Sequence, residues 1–420
     1  MVSLRHVGRA PFLVSEKRSS VWLVTSPERA HLADLSGSAL VQSLSNLPSP
    51  AAEPFSLVTP SSGVETPLRA ELETEILKRA RLSDGGCLWG SSGSDGIEIA
   101  IWTAETYLSE QTGGPIKTFL VRRGGYHGNT YLTRFLSTRG KVEHKLSLEG
   151  ASLTILEERL ATPEMNPLLE ALREAEAEDR IVHPAVLLLE PRPTTGRNFW
   201  LGHKAYNVVV RWCRERKILV IFDEIASGAY RHGSFSAFAW DNEEVPDISV
   251  IAKGLTSGTF PLSCAILNPA LTASVERRGS RPLSFTHGLS DPAAWFSLAC
   301  LRRYDEIFAS SAYTERQALI GDLAGSASRD LAAGTLEHSE TTIRFSLALP
   351  VAQSAMTKLA EAGFWAYCGY SDFPAADGPD RRGFIHLCPP LDLANDQARR
   401  MLTEAVNAIM KTFDDVRSNQ

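Results

Sequence analysis

Through the middle of the chain, short apolar runs alternate with stretches of helical periodicity. AVLLLE (185 to 190) and KILVIFD (217 to 223) are continuous apolar runs of strand length, which predicts buried strands. Between them, residues 203 to 216 place Val208, Val209, Trp212 and Cys213 on one side, so the unit reads strand, crossover helix, strand. The pattern predicts an α/β fold, a mostly parallel sheet flanked by helices. In LWGSSGSDGIEIAIWTAETYL (88 to 108) a Gly/Ser turn precedes Ile97, Ile101, Ala104 and Leu108 at helical spacing. A last helix starts near Asn395 or Asp396, both good caps, and gathers Met401, Leu402, Ala405, Ile409 and Phe413 on one face, predicting a smaller α+β domain at the C-terminus.

Two Pro-, Ser- and Gly-rich segments punctuate this pattern, residues 47 to 67 and 367 to 383, and read as loops. The predicted organisation is an N-terminal segment carrying an active-site loop (residues 1 to 65), a large domain (66 to 300) and a small C-terminal domain (301 to 420) to which the N-terminal segment contributes. The acidic stretch LLEALREAEAEDR (168 to 180) reads as a solvated helix face.

Composition narrows the function classes. With 420 residues, 43% hydrophobic and 22% charged, the chain can bury a substantial core, and its formal charge of -6 offers a phosphate-rich polymer little attraction. No nucleic acid partner is expected. Six scattered cysteines form no CxxC motif and no cluster at metal-ligand spacing, which suggests buried thiols in a reducing compartment and no metal. No run approaches the ~18 apolar residues of a membrane span, and the first residues lack the apolar core of a signal peptide. A cytoplasmic protein without a membrane partner is the expectation.

Chemistry is expected at the carboxyl ends of the strands, where open α/β sheets collect ligands. Three residues stand there: Glu190, Asp223 and Lys253, the last at the end of the apolar run in PDISVIAKGLTSGTFPL (246 to 262). Two of them have a plainer reading, a surface ammonium for Lys253 and a turn cap for Asp223. Together they match the needs of pyridoxal 5'-phosphate, a lysine for its aldehyde and an acid for its pyridine nitrogen. At ~4 Å and an effective dielectric of ~20, a carboxylate favours a cation by about 4 kcal/mol. The turn before Ile97 offers N–H groups for the phosphate, although such turns also serve as ordinary caps. In GGYHGNT (124 to 130), Tyr126 could lie over the ring or be a core tyrosine, and His127 reads as structural.

In order along the chain, these segments resemble the class III aminotransferases, pyridoxal phosphate enzymes of fold type I, over about residues 65 to 300 with a weaker tail. SSGSDGIE (91 to 98) is similar to the family's Ser-Gly-Ser/Thr-Glu-Ala turn and GYHGNT to its Tyr-His-Gly-Arg-Thr segment. LLLEPRPTTGR resembles the Glu-Pro segment, IFDEIASGAYRHGSF the Asp-Glu-Val-Gln-Thr-Gly-Phe-Gly-Arg-Thr-Gly segment, and PDISVIAKGLTSGTFPLSCAI the lysine segment. The resemblance implies phosphate and ring contacts from Gly93, Ser94 and Tyr126, and places Glu190 in the cofactor site. It implies Asp223 at the ring nitrogen, Ile225 beneath the ring and Lys253 as the Schiff-base residue. THGLSDP (286 to 292) is similar to a shortened His-Gly-x-Thr segment, which implies that Ser290 reaches a phosphate held by a partner subunit, in a homodimer with a shared active site.

The chain departs from the family pattern at Ala226, where glutamine is usual, and at Asp95 and Gly96, which replace Glu-Ala. A larger departure lies in GFIHLCPPL (383 to 391), where His386 stands in place of an arginine that often holds an α-carboxylate. Arg344, Arg192 or Arg197 could substitute; the simpler expectation is a substrate lacking that carboxylate. The resemblance implies amino transfer from a donor amine or amino acid to a carbonyl acceptor, a ketone or aldehyde, with Lys253 as acid and base. A natural-product or peptide-tailoring role of the daptide type, with a peptide-borne ketone, is one such specialisation. Aminomutase, racemase or decarboxylase chemistry on the same fold, and a binding protein without catalysis, are the alternatives.

Overall fold

A computed structural model describes residues 13–18, 21–25, 32–35, 66–138, 148–158, 166–193, 202–236, 244–278, 283, 285–331, 335–371 and 382–418. Most of the loop at 47 to 67, the middle of the one at 367 to 383, and Arg197 lie outside these residues. The chain divides into two units, one of Met1–Asn46, Ser310–Cys368 and Gly383–Gln420, the other of Leu47–Ala309 and Gly369–Arg382. The first opens with three strands, β1 (Leu13–Arg18), β2 (Val21–Thr25) and β3 (Leu32–Asp34).

The larger unit follows as α1 (Pro67–Ala80), β4 (Gly86–Gly90), α2 (Gly93–Thr112), β5 (Thr118–Arg122), α3 (Tyr131–Leu136), β6 (Ser152–Leu156), α4 (Pro167–Ala177) and β7 (Ala185–Leu189). It continues through α5 (His203–Glu215), β8 (Ile218–Asp223), β9 (Ile248–Ile251), a 3-10 turn (Lys253–Thr256), β10 (Ser263–Leu267), α6 (Pro269–Arg278) and α7 (Asp291–Phe308). Its seven strands form one sheet in the order β4-β10-β9-β8-β7-β5-β6. Pairing is parallel from β9 through β6, while β10 runs antiparallel to both β9 and β4.

Burial explains why the strand runs are continuous rather than alternating: every residue of β5, β7, β8, β9 and β10 is buried, as a sheet covered on both faces requires. At about 1.5–3 kcal/mol for each large apolar side chain removed from water, these runs fix which segments become central strands. Helix α2 contributes Ile97, Ile101, Ala104 and Leu108 to the same core. It ends at Gly113, whose φ of 75° suits glycine.

Helix α5 corrects one expectation. Val209, Trp212 and Cys213 are buried, but Val208 is 44% exposed. The inward stripe runs through Tyr206, Val209, Val210 and Cys213, the i, i+3, i+4 and i+7 positions of one face, and Val208 falls on the other side of the helix. In α4 the acidic positions do face outward, while Leu168, Leu169, Ala171, Leu172 and Ala175 are buried.

The remaining elements are α8 (Ser311–Asp330), β11 (Thr335–His338), β12 (Ile343–Ala348), α9 (Leu349–Glu361), β13 (Phe364–Trp365), β14 (Tyr367–Ser371), β15 (Arg382–Leu387) and α10 (Asn395–Ser418). Two four-stranded sheets, β1-β2-β3-β13 and β11-β12-β15-β14, accompany these helices. The predicted stripe of α10 is buried at Met401, Leu402, Ala405, Ile409 and Phe413. All six cysteines are free, and all but Cys87 are buried.

The amino-terminal edge of the sheet holds a titrating carboxyl. Asp247, just before β9, accepts from the Val220 N–H (2.8 Å) and from Asn268 Nδ2 (2.9 Å). Burial pushes its carboxyl up to about 6, against those hydrogen bonds. The folded protein therefore binds this proton more tightly than the unfolded chain does. The stability associated with the group is fully present below about pH 4 and is lost as the pH rises through about 6. Urea unfolding of wild type and Asp247→Asn across pH 4–7 should differ in slope by on the order of 2 kcal/mol over that range, with the variant flatter.

Candidate active site

Because β5, β7, β8 and β9 point the same way, their carboxyl ends share one edge. β4 points that way too, since β10 is antiparallel to both it and β9. The edge therefore gathers Arg122, Glu190, Asp223 and Lys253 from the strand ends, together with the turn from β4 into α2.

Asp223, the last residue of β8, is 4% exposed. A buried carboxylate must find donors, and here Oδ2 lies 2.8 Å from His127 Nδ1 while Oδ1 accepts from the Ile225 N–H at 3.2 Å. His127 is itself buried, and its N–H donates to Ser137 Oγ (2.9 Å). The neighbouring Tyr126 N–H donates to Glu190 Oε2 at 3.1 Å. Burial raises the Glu190 carboxyl above its ordinary range and the Asp223 carboxylate adds to this; His127, the Tyr126 N–H and Lys253 pull the other way.

Lys253 follows β9 by one residue, is half-buried, and opens the 3-10 turn. Its φ of 42° lies in the left-handed region, which costs a non-glycine residue roughly 1–2 kcal/mol. The backbone there is tied down by Leu255 N–H to Ala252 O (2.9 Å) and Gly258 N–H to Lys253 O (3.2 Å).

The turn into α2 is built for close approach. Ser92 caps the helix by accepting from the Asp95 N–H, and Asp95 Oδ2 accepts from the Ser91 N–H at 3.1 Å, a reciprocal cap that explains how Asp95 serves here. A Cβ on Gly96 would stand 2.7 Å from Val250 Cγ1, so glycine lets the helix start lie directly on the sheet. A Cβ on Gly93 would meet Ile225 Cδ1 at 2.9 Å; Ile225 packs against the first helical residue. Ser94 Oγ accepts from the Asn129 N–H (3.2 Å), joining the GYHGNT turn to the helix start. At Gly128 (φ +131°) a Cβ would lie 2.3 Å from Ser94 Oγ. Gly128→Ala should cost on the order of 2–3 kcal/mol in urea denaturation, through both the clash and the backbone conformation.

Buried polar pairs fix the rest of the edge. Arg122 and Glu158 form an ion pair (Nη2 to Oε2, 2.8 Å), and Arg122 Nη1 donates to Glu190 O at 3.1 Å. Burial opposes the Arg122 charge, yet the Glu158 carboxylate leaves the guanidinium more firmly protonated than usual. Glu224 accepts from Ser249 Oγ (3.0 Å) and from Ser236 Oγ. Ser290 caps α7, accepting from the Ala293 N–H at 3.4 Å. Beside it Asp291 accepts from Thr66 Oγ1 (2.8 Å) and pairs with Arg69 (3.2 Å). A Cβ on Gly288 would sit 2.6 Å from Trp89 O, so the THGLSDP turn lies against the end of β4.

Hydrogen bonds thus tie Tyr126 to Glu190 and His127 to Asp223, close contacts tie Gly93 to Ile225, and the Ile225 N–H joins that residue to Asp223; Lys253 opens the turn beyond the adjacent strand on the same edge. His127 corrects the sequence reading: it is structural, but it is also the side chain that meets Asp223. The signal was the buried acid itself, which demands a donor; which histidine supplies it depends on packing. Of the residues considered for a carboxylate, Arg344 is buried and paired with Glu337 (2.7 Å), and Arg192 donates to His232 O (3.0 Å). His386 is fully buried in β15.

Comparison with known proteins settles the family. Residues 55–303 match the family model described as aminotransferase class-III. The chain belongs to the class-III aminotransferases. Among members of this family, it is 29% identical over 204 residues to an adenosylmethionine-8-amino-7-oxononanoate aminotransferase of Buchnera aphidicola subsp. Schizaphis graminum, a match spanning 47% of this chain and 46% of that protein. The chain thus spans about half the length of such relatives. An acetylornithine aminotransferase of Agrobacterium fabrum is 28% identical over 295 residues, 67% of this chain and 69% of that one. Solved transaminases share the fold of this chain. A transaminase from the marine bacterium Virgibacillus superposes with TM-score 0.76 at 18% identity, covering 98% of this chain and 95% of the other. An amine transaminase from an uncultivated Pseudomonas species, solved in its PLP-bound form, gives TM-score 0.74 at 20% identity over 99% and 97%. The fold is therefore that of the fold type I pyridoxal phosphate transaminases, an α/β architecture with a mostly parallel sheet.

Proposed function

We propose that the chain is a pyridoxal phosphate-dependent aminotransferase acting between a donor amine and a ketone or aldehyde acceptor. The observation that carries this reading is a buried acid closing β8 and a lysine just past the end of the adjacent parallel strand β9, on the edge where α2 begins. The residues present fit the cofactor. A Cβ on Gly93 would strike Ile225, so glycine lets the first turn of α2, with N–H groups suited to an anion, lie directly against it, and Asp223 is held by His127 and the Ile225 N–H.

In this reading Asp223 holds a protonated pyridine nitrogen, and the first N–H groups of α2 at Gly93 and Ser94 hold the phosphate. Ile225 and Tyr126 bound the ring faces, and Glu190 completes the polar wall. When bound, pyridoxal phosphate supplies a ring that stabilises negative charge at the substrate carbon. With the cofactor bound, Lys253 Nζ would hold it between turnovers and, once released by the donor amine, would serve as the base that takes the proton from the substrate carbon and the acid that gives it to the cofactor. Ser290 reaches the phosphate of a second copy, so the active unit is a homodimer with shared sites. The large cofactor-binding domain spans residues 66 to 300, flanked by the N-terminal segment 1 to 65 and the small domain 301 to 420.

The substrate class follows from charge. With His386 at the usual arginine position and Arg344 committed to Glu337, no bidentate clamp for an α-carboxylate is offered by those side chains. We assign a substrate that lacks that carboxylate, such as a simple amine or a ketone carried on a larger molecule, a modified peptide included, in a cytoplasmic setting. Borohydride reduction of the pyridoxal phosphate-loaded protein, followed by peptide mass spectrometry, tests the reading: the label belongs on Lys253, and a label elsewhere or none refutes it. Product analysis with paired amines and ketones then separates transfer from isomerisation or decarboxylation.

A further inference from the structure

A second side chain acts on the lysine from behind. Tyr304, in the last turns of α7, has no exposed surface, and its hydroxyl donates to the carbonyl of Gly254 at 2.7 Å. Gly254 is the residue after Lys253, and the same carbonyl accepts the Ser257 N–H at 3.1 Å. The bond fixes the Gly254–Leu255 peptide plane, one peptide beyond the left-handed Lys253, inside the 3-10 turn that the lysine opens. The tyrosine is itself wedged: Tyr230 stands 5.3 Å from its ring, and Phe308 and Phe235 pack on Tyr230 at 4.9 and 5.8 Å. Tyr230 is also in the left-handed region, with φ 67°, in a turn closed by Tyr230 N–H to Ser234 O (2.9 Å) and Gly233 N–H to Tyr230 O (3.1 Å).

We propose that Tyr304 is a positioning residue for Lys253: its hydroxyl, anchored by the aromatic wedge, holds the Gly254–Leu255 peptide and with it the 3-10 turn that Lys253 opens, so that the lysine keeps its left-handed backbone and its Nζ a single aim. A lysine has four rotatable side-chain bonds, and its reach is set by where its Cα–Cβ vector points. In the left-handed region that vector is not maintained by the residue's own preference and has to be imposed from outside. A peptide carbonyl gripped by a buried phenol supplies the constraint without touching cofactor or substrate.

This inference rests on the cofactor reading above, and its test separates the two. Tyr304→Phe deletes one oxygen and leaves the aromatic packing in place. Pyridoxal phosphate affinity, and the pH at which the lysine-bound chromophore titrates by absorbance, are measured for wild type, Tyr304→Phe, Lys253→Ala and the double variant. The expected result is about tenfold weaker binding in Tyr304→Phe with a displaced chromophore titration, and no further loss when the substitution is added to Lys253→Ala. Unchanged affinity and titration in Tyr304→Phe would overturn the proposal, as would a tenfold loss that persists undiminished without the lysine. If Tyr304→Phe does not accumulate folded, Tyr304→Met, which fills the space with a flexible side chain, is put through the same comparison with the same deciding outcomes. A wild-type protein that takes no reducible label at Lys253 would instead refute the cofactor reading itself.

Discussion

Replacing Lys253 with alanine is expected to lower the rate of amino transfer by about ten-thousand-fold, the scale of a lost proton-transfer group. The loss is chemical rather than structural. Lys253 is half-buried and its left-handed backbone is easier for no side chain than for glycine, so truncation removes an amine without opening the core. Thermal unfolding should move by only a few degrees, while single-turnover rates collapse. Added methylamine or ethylamine should restore part of the rate, because a small amine can occupy the space of the missing ammonium and take the proton. Full activity in Lys253→Ala, or an equal loss of fold and rate, would contradict the assignment.

Asp223→Asn tests the other half of the pair. The substitution keeps the shape and an acceptor for the Ile225 N–H, yet removes the charge. With about 4 kcal/mol available to a carboxylate and a cation ~4 Å apart at an effective dielectric of ~20, the expected fall in kcat is about a thousand-fold. Stability should change little by comparison, since the side chain keeps its size and its acceptor for the Ile225 N–H. His127→Gln provides the gradation. It removes the ring beside Oδ2 while leaving the carboxylate, and kcat should fall by about tenfold, the scale of one hydrogen bond to a charged group. If Asp223→Asn behaves like His127→Gln, the charge at Asp223 is not what the reaction uses.

The strands that carry these residues were legible because their burial on both faces writes an unbroken apolar run into the chain, as in Ala185–Leu189 and Ile218–Asp223. Their ends were legible for the same reason: a polar residue closing such a run has nowhere to go but the sheet edge. What lies across the sheet was less so. The bond from His127 to Asp223 joins residues 96 apart, and nothing local to either distinguishes that histidine from one packed in a core. Arg122 and Glu158, an edge-fixing pair 36 residues apart, left no signal beyond two ordinary charges. Val208 was misplaced because adjacent valines in a helix point about 100° apart, and apolar character alone does not tell which belongs to the stripe. The small strands β1 to β3 and β11 to β15 were not read at all, being too short for their alternation to stand out. Strand direction was invisible too. The segment Ser263–Leu267 was not singled out as a strand, and only its partners reveal that it runs against them.

That reversed strand constrains how the molecule could be re-cut. Elsewhere in the sheet, successive parallel strands are joined through crossovers that leave the catalytic rim and return from the opposite one, so each rim loop is free to lengthen. Between β9 and β10 the chain turns around at the rim itself, and the eleven positions from Ala252 to Leu262 are stitched to paired strands at both ends. An insertion tolerated beside Asp179 or Lys217, or new termini engineered there, would leave the lysine where it is. The same graft at Gly258 would swing it out of register with everything it must meet.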